Sequence, residues 1–319
     1  VRPSLTRRDW FAASSTTAAA ALVGAGASAR PSRADATTRD GKLPCRLSLN
    51  TSTIRGQKLS LAQEIDLAAE AGFDCIEPWI SELEDHVKSG GTLSDVSKRI
   101  ADRGLTVESA IGFFDWPVDE PERREKGLEA GKRAMDLVQQ IGGKRLACPP
   151  SGITERSDVP HAVIAERFRA VGAMGRAIGI VPQLEVWGFS KSVTTLADAA
   201  MIALAAGDPD AAILADIYHL YKGGSPFETV GLMSRTAFQV FHVNDYPDLP
   251  RDQIKDEHRV YPGDGIAPLT ATFKRLWAAG FAGTLSLELF NREYWAQDAR
   301  QVVQTGHRKL REAVEASLA

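Results

Sequence analysis

Four side chains in the second half of the sequence have the types and spacing of a metal-assisted acid–base centre. Glu185 lies in Gln183-Leu184-Glu185-Val186-Trp187 and Asp216 in Ile213-Leu214-Ala215-Asp216-Ile217. His242 lies in Val240-Phe241-His242-Val243, and Glu288 in Leu285-Ser286-Leu287-Glu288-Leu289. Each run has the composition of a short strand, with its ionisable group towards the C-terminal end. Alternation sets Leu285, Leu287 and Leu289 on one face, and Ser286 and Glu288 on the other. It likewise turns Gln183, Glu185 and Trp187 away from Leu184 and Val186. Burying a lone carboxylate is costly, so inward Glu185, Asp216 and Glu288 need a cation or hydrogen-bond donors. One divalent ion shared with His242 meets that need; private salt bridges are the plainer alternative. Three carboxylates and one imidazole favour an octahedral ion, with Mn²⁺ first and Mg²⁺ or Co²⁺ also suited. Structural zinc prefers clustered thiolates and imidazoles, and Cys45, Cys75 and Cys148 form no CxxC unit. All three cysteines read as structural, without a disulfide.

Such groups must be held by a scaffold, and one phrase recurs along the chain: an amphipathic helix, a glycine, then a short strand. Ala68-Ala69-Glu70-Ala71-Gly72 precedes Cys75-Ile76-Glu77, and Ala278-Ala279-Gly280 precedes Leu285-Ser286-Leu287-Glu288. Glycine just past a helix end supplies the left-handed conformation that stops it. Strands are predicted near 46–52, 75–79, 106–113, 145–149, 183–187, 211–217, 238–244 and 284–290. Ser60-x-x-Gln63 forms a capping box before the first helix. Eight alternating units predict an α/β fold, a single (β/α)₈ TIM barrel over 43–319. Its catalytic groups would gather at the C-terminal ends of the strands. A doubly wound open sheet is disfavoured, because Asn50-Thr51-Ser52-Thr53-Ile54-Arg55-Gly56 contains no GxGxxG after the first strand.

Residues 1–29 read as a twin-arginine export signal: Arg7-Arg8, a mildly apolar stretch, and Ala27-Ser28-Ala29 as the cleavage pattern. Residues 30–42 read as a polar linker, and the expected location is the bacterial periplasm. The apolar stretch is too short and small-sided for a stable membrane span. A net charge of -3 without a basic stripe argues against a nucleic-acid partner.

With these motifs in place, the chain resembles the xylose-isomerase-like TIM-barrel superfamily, especially its sugar (phosphate) isomerase/epimerase branch. The likeness covers about 43–318. It is carried by Leu184-Glu185, Asp216-Ile217-Tyr218-His219, His242-Val243-Asn244-Asp245, Pro262-Gly263-Asp264-Gly265 and Leu287-Glu288. The resemblance implies that Glu185 and Glu288 both bind the metal and form the acid/base pair, with Asp216 and His242 as pure ligands. It places His219 near substrate oxygens and makes Arg259 a further substrate-binding candidate. Trp79, Trp116 and Trp187, at or beyond strand ends, either wall a sugar pocket or pack in the core or rim. Glu77, inward on its strand, is either a hydrogen-bonding support for the centre or one half of a buried salt bridge.

The expected activity is a sugar isomerase or epimerase that abstracts a proton beside a carbonyl and passes through an enediolate. The expected partner is a small, non-phosphorylated carbohydrate, and the chain itself is a candidate homo-oligomer. A lyase or dehydratase acting on a keto-sugar, inositol derivative or glycoside is the first alternative. A non-catalytic sugar-binding protein is the second. Asp256-Glu257-His258 resembles part of a multinuclear DNA-repair endonuclease of the same superfamily. The histidines which that site needs after the second and third strands are missing, where Glu77-Pro78-Trp79 and Phe113-Phe114-Asp115 stand instead.

Overall fold

The structure, a computed structural model, describes residues 43–319. The expected export signal and linker lie outside the described residues. Seven strands are formed: β1 Arg46–Asn50, β2 Cys75–Glu77, β3 Arg145–Cys148, β4 Val181–Glu185, β5 Ala212–Asp216, β6 Val240–Val243 and β7 Thr284–Leu287. They make one parallel sheet in the order β2-β1-β7-β6-β5-β4-β3. The helices are α1 Leu61–Ala71, α2 Ile80–Lys88, α3 Leu93–Asp102, α4 Pro121–Gln140, α5 His161–Ile178, α6 Leu196–Ala206, α7 Ile217–Gly223, α8 Leu269–Ala278, α9 Arg292–Trp295 and α10 Ala299–Leu318.

Local sequence explains the first repeat. Gln63 Oε1 accepts the Ser60 backbone N–H at 2.9 Å at the start of α1. Gly72, at φ +94°, ends the helix in the left-handed region, where a side chain would be strained. Asp74 then accepts the Leu47 N–H at 2.9 Å and ties the turn to β1 before β2 begins.

The expected third strand, 106–113, does not form a continuous ladder. Residues 106–111 span the gap between β2 and β3 through isolated parallel bridges: Thr106 with Cys75, Ile111 with Trp79 and Ala110 with Leu146. Pro78 lies opposite this segment; its carbonyl accepts the Ile111 N–H at 3.0 Å, but its nitrogen has no hydrogen to return. The eighth position of the barrel is therefore occupied by a bridging segment rather than a regular strand.

Alternation divides the interior as expected. Leu184, Val186, Leu285, Leu287 and Leu289 belong to the main core shared with the helices. Ile111, Ala147, Leu214 and Val240 form a separate apolar cluster. Leu214 precedes Asp216 by two residues and Val240 precedes His242 by two, so this cluster lies one side-chain layer beneath the polar groups. The polar site stands on an apolar floor.

Candidate metal and acid–base centre

Strand register alone brings several polar groups into adjacent positions. Asp216 is paired with His242, and His242 with Ser286; Asn50 is paired with Glu77 on the other side of the ring. Glu77 Oε2 lies 3.0 Å from His242 Nε2 and accepts hydrogen bonds from Ser286 Oγ at 2.6 Å and Asn50 Nδ2 at 3.0 Å. Asn50 Nδ2 also reaches Glu288 Oε1 at 3.1 Å. One imidazole nitrogen is thus fixed by a carboxylate, and that carboxylate is itself fixed by two further donors.

The other imidazole nitrogen turns toward the centre. His242 Nδ1 has no hydrogen-bond partner; Glu288 Oε2 is 3.2 Å away and Asp216 Oδ2 4.0 Å away. Ligand atoms of Asp216, His242 and Glu288 all lie within 4.8 Å of one another, and all three residues are buried. Glu185 is not within that spacing of all three. It is also buried, however, and its Oε2 has no hydrogen-bond partner. A histidine oriented by a carboxylate through one nitrogen, with the other nitrogen facing two carboxylates, suits a divalent cation. The unpartnered oxygen of Glu185 adds a further oxygen donor on β4. The residues present therefore fit the expected ion.

The electrostatics follow from the packing. Burial pushes Glu185 up to about 8, and the nearby charge of Glu288 adds to the effect. Burial also opposes ionisation of Glu288, but His242 and Arg259 outweigh it and hold this carboxyl well below the usual range. Glu77 is lowered as well, because adjacent His242 overcomes the cost of burial. His242 would lose its charge through burial, yet Glu288 and Glu77 raise its pKa well above the ordinary value.

Arg259 is delivered by the loop after β6. Asp245 and Val260 exchange both backbone hydrogen bonds at 2.9 Å, folding the segment back over the strand ends. The Asp245 carboxylate accepts the N–H groups of Tyr246, Gly263 and Ala267 at 2.8–2.9 Å. A Cβ on Gly265 would run into Tyr246 O and Asp245 Oδ1, which explains one glycine of Pro262-Gly263-Asp264-Gly265. The Arg259 guanidinium, 1% exposed, then bridges Asp216 at 3.0 Å and Glu288 at 2.8 Å through Nη1. Its Nη2 meets Asp256 Oδ1 at 2.6 Å and lies 3.2 Å from His219 Nε2. Asp216 also caps α7 by accepting the His219 N–H at 2.8 Å, which orients that ring beside the centre. Burial holds His219 below its ordinary pKa, although Asp216 opposes the shift.

The three tryptophans divide. Trp79 and Trp187 belong to an arc of aromatic rings: Phe290–Trp79, Trp79–Phe113, Phe113–Trp187, Trp187–Phe189 and Phe189–His219, with centroids 5.1–6.1 Å apart. Trp116 stands elsewhere. It is fully buried, its Nε1 donates to Pro149 O at 2.7 Å, and its ring packs on Phe168 of α5. Of the two expected places it takes the core and leaves the substrate-binding set: the indole N–H finds a backbone acceptor there. Asp256 and His258 sit in a short 3₁₀ turn, where Asp256 holds Arg259 and His258 Nδ1 accepts the Lys255 N–H. All three cysteines are free and buried. Among the described residues, no helix is long and apolar enough to cross a membrane.

Sequence reasoning left the role of Glu77 open and passed over Asn50, Ser286 and Asn244. Ser286 shares the parity of Glu288, and that signal was available. Asn50 carried no comparable signal, because its importance depends on pairing with a strand distant in sequence. Asn244 donates to Asp216 Oδ2 at 2.8 Å from the end of β6.

A parallel barrel with a buried carboxylate–histidine centre at its strand ends defines the class of molecule. The chain belongs to the xylose isomerase-like TIM barrel family, whose model matches residues 65–313. It is 26% identical to an inosose isomerase of Bacillus velezensis over 82% of this chain and 94% of that protein. It is 27% identical to a 3-dehydroshikimate dehydratase of Pseudomonas aeruginosa over 82% of this chain, but only 41% of that longer protein. Among solved structures, an IolI protein with a bound zinc atom superposes with a TM-score of 0.78. That match covers 85% of this chain and 98% of the other at 22% identity.

Proposed function

We propose that the protein is a divalent-metal-dependent isomerase or epimerase of a small, non-phosphorylated carbohydrate, acting by proton abstraction beside a carbonyl. The relatives are enzymes of sugar and cyclic-polyol chemistry, and the centre has the groups that this reaction needs. The observation that carries the reading is His242, whose Nε2 is held by Glu77 while its unpartnered Nδ1 faces Asp216 and Glu288. Glu185, Asp216, His242 and Glu288 would hold the ion. When bound, the ion supplies Lewis-acid stabilisation of charge developing on the substrate's carbonyl oxygen.

The remaining work belongs to the chain's own residues. Glu185 and Glu288 come from β4 and from the end of β7, which β5 and β6 separate in the sheet. They therefore enter the site from different sides, as one proton acceptor and one proton donor require. His219 binds and orients substrate oxygens, Arg259 holds the Asp216 and Glu288 carboxylates in place, and the aromatic arc excludes water from one side of the site. The Arg7-Arg8 pattern adds export from the cytoplasm to this reading.

The test is metal content by mass spectrometry, followed by deuterium exchange from solvent into inosose. The expected outcome is a bound Mn²⁺, Mg²⁺ or Co²⁺ that is markedly weakened in Glu185→Gln, Asp216→Asn, His242→Ala and Glu288→Gln. Zinc belongs in the same assay, since the superposed IolI structure carries it. Protein that binds none of these ions on reconstitution would overturn the mechanism. Dehydration is the second reading, favoured by the likeness to the Pseudomonas dehydratase; loss of water from the product identifies it.

A further inference from the structure

The 3₁₀ turn after β1, Thr51–Gln57, carries a cation, Arg55, at the edge of the site. The Arg55 guanidinium carbon lies 3.6 Å from the Trp79 ring centroid and 5.7 Å from that of Phe290. Arg55 is half-buried, and among the described residues its side chain has no hydrogen bond and no ion-pair partner within 4.0 Å. The acidic groups whose charge reaches it, Glu82, Glu288 and Glu64, are engaged elsewhere or shielded, Glu288 by Arg259 and His242. Glu82 Oε2 is taken by Thr51 Oγ1 at 2.7 Å and the Trp79 N–H at 2.9 Å. Glu64 is a buried carboxyl held in its neutral form by desolvation. A guanidinium carries five N–H donors in a planar fork suited to a carboxylate. Here the stacking surface of Trp79 positions that fork while leaving its edge free.

The location ties this group to the centre. Trp79 Nε1 donates to Asn50 Oδ1 at 3.0 Å, and Asn50 Nδ2 reaches both Glu77 and Glu288. Arg55, Trp79 and Phe290 follow β1, β2 and β7, so all three stand at the strand ends where the acid–base groups gather. Arg259, the other arginine of the site, is already committed to Asp216, Glu288 and Asp256. The Nε of Arg259 has no partner but is buried, whereas Arg55 is only half-buried and, among the described residues, has no side-chain hydrogen bond at all.

We infer that Arg55 is a specificity-determining anion reader, and that the substrate is a keto-polyol bearing a carboxylate. The inference rests on the reading of the strand ends as the active site, and it narrows that reading from any small carbohydrate to an acidic one. A neutral polyol would leave the Arg55 fork facing the ligand without an acceptor. A carboxylate would complete a bidentate, charge-assisted pair.

The test uses the metal-loaded, full-length protein and two probes that differ in the charge of one group and one added methyl: 3-dehydroshikimate and its methyl ester. Dissociation constants are measured by titration calorimetry for the wild type, Arg55→Gln and Arg55→Lys. The expected result is that the wild type binds the acid about tenfold or more tightly than the ester. Arg55→Gln brings the two within about twofold by removing that term, and Arg55→Lys restores part of the preference. Equal binding of acid and ester by the wild type, binding of neither, or an acid preference that survives in Arg55→Gln would overturn the inference. A merely structural Arg55 would weaken both probes alike in Arg55→Gln, and that result overturns it too. Failure of the parent reading looks different, because it is seen as protein that binds none of the divalent ions on reconstitution, before either probe is added.

Discussion

At the scale of single residues, the centre depends on a side chain that does not face it. Glu77 contributes no atom to the Asp216–His242–Glu288 cluster, yet it fixes the His242 ring and is held in turn by Ser286 and Asn50. A carboxylate behind a metal-binding histidine orients the ring and raises its basicity, and its loss typically costs about 10–100-fold in metal affinity. Glu77→Gln keeps the shape and removes the charge. It is expected to weaken Mn²⁺ binding by about that factor while leaving the four proposed ligands in place. Titration calorimetry on the metal-stripped protein measures this directly, and an unchanged dissociation constant would remove Glu77 from the account.

At the scale of elements, the loop from Asp245 to Ala267 determines where Arg259 stands. Asp245 gathers three backbone N–H groups, and the Asp245–Val260 bridge turns the chain so that Arg259 reaches Asp216 and Glu288. Asp245→Ala leaves those N–H groups without their acceptor and loosens the loop. A displacement near 1 Å at a positioning group can cost about 10²-fold in rate. The variant is expected to lose activity on that order while retaining its bound metal; wild-type turnover, or loss of the metal, would contradict this. The same loop marks the limit of what the sequence discloses. Alternation along Leu285–Leu289 was enough to turn Glu288 inward, and a glycine after a helix was enough to mark where α1 ends. By contrast, the irregular bridging of 106–111 depends on Pro78, just past the end of β2. The contact of Trp116 with Pro149 and Phe168 likewise depends on how distant segments pack, which no local period encodes. The Arg55–Trp79 stack is of the same kind: Trp79 stood out as a strand-end aromatic, but Arg55 did not, because their meeting required the β1–β2 register.

At the scale of the whole molecule, buried acids pull stability in opposite directions with pH. Glu77 and Glu288 have folded-state pKa values below the ordinary 4.5. The stability they contribute is present above about pH 4.5 and is lost as the pH falls through their lowered values. Glu64, on α1, behaves in the opposite way: burial first, with adjacent Glu82 adding to it, raises its pKa from 4.5 to about 9. Its neutral form is compatible with the core, so it carries no penalty below about pH 4.5. Between pH 4.5 and about 9 the unfolded chain gives up this proton while the folded chain keeps it, so stability declines across that window. His242 acts in the same direction in metal-free protein, because its raised folded-state pKa favours folding most strongly below its ordinary 6.5. Metal-free protein is therefore expected to be most stable in mildly acid solution and to weaken toward pH 9. Glu64→Gln removes one titrating group from the alkaline limb and leaves the acid limb to Glu77 and Glu288. Urea midpoints measured with a chelator from pH 4 to 9 should then show a shallower alkaline decline for the variant. Superimposable curves for the two proteins would mean that Glu64 ionises in the folded state as readily as in water, and that its burial sets no part of the pH dependence.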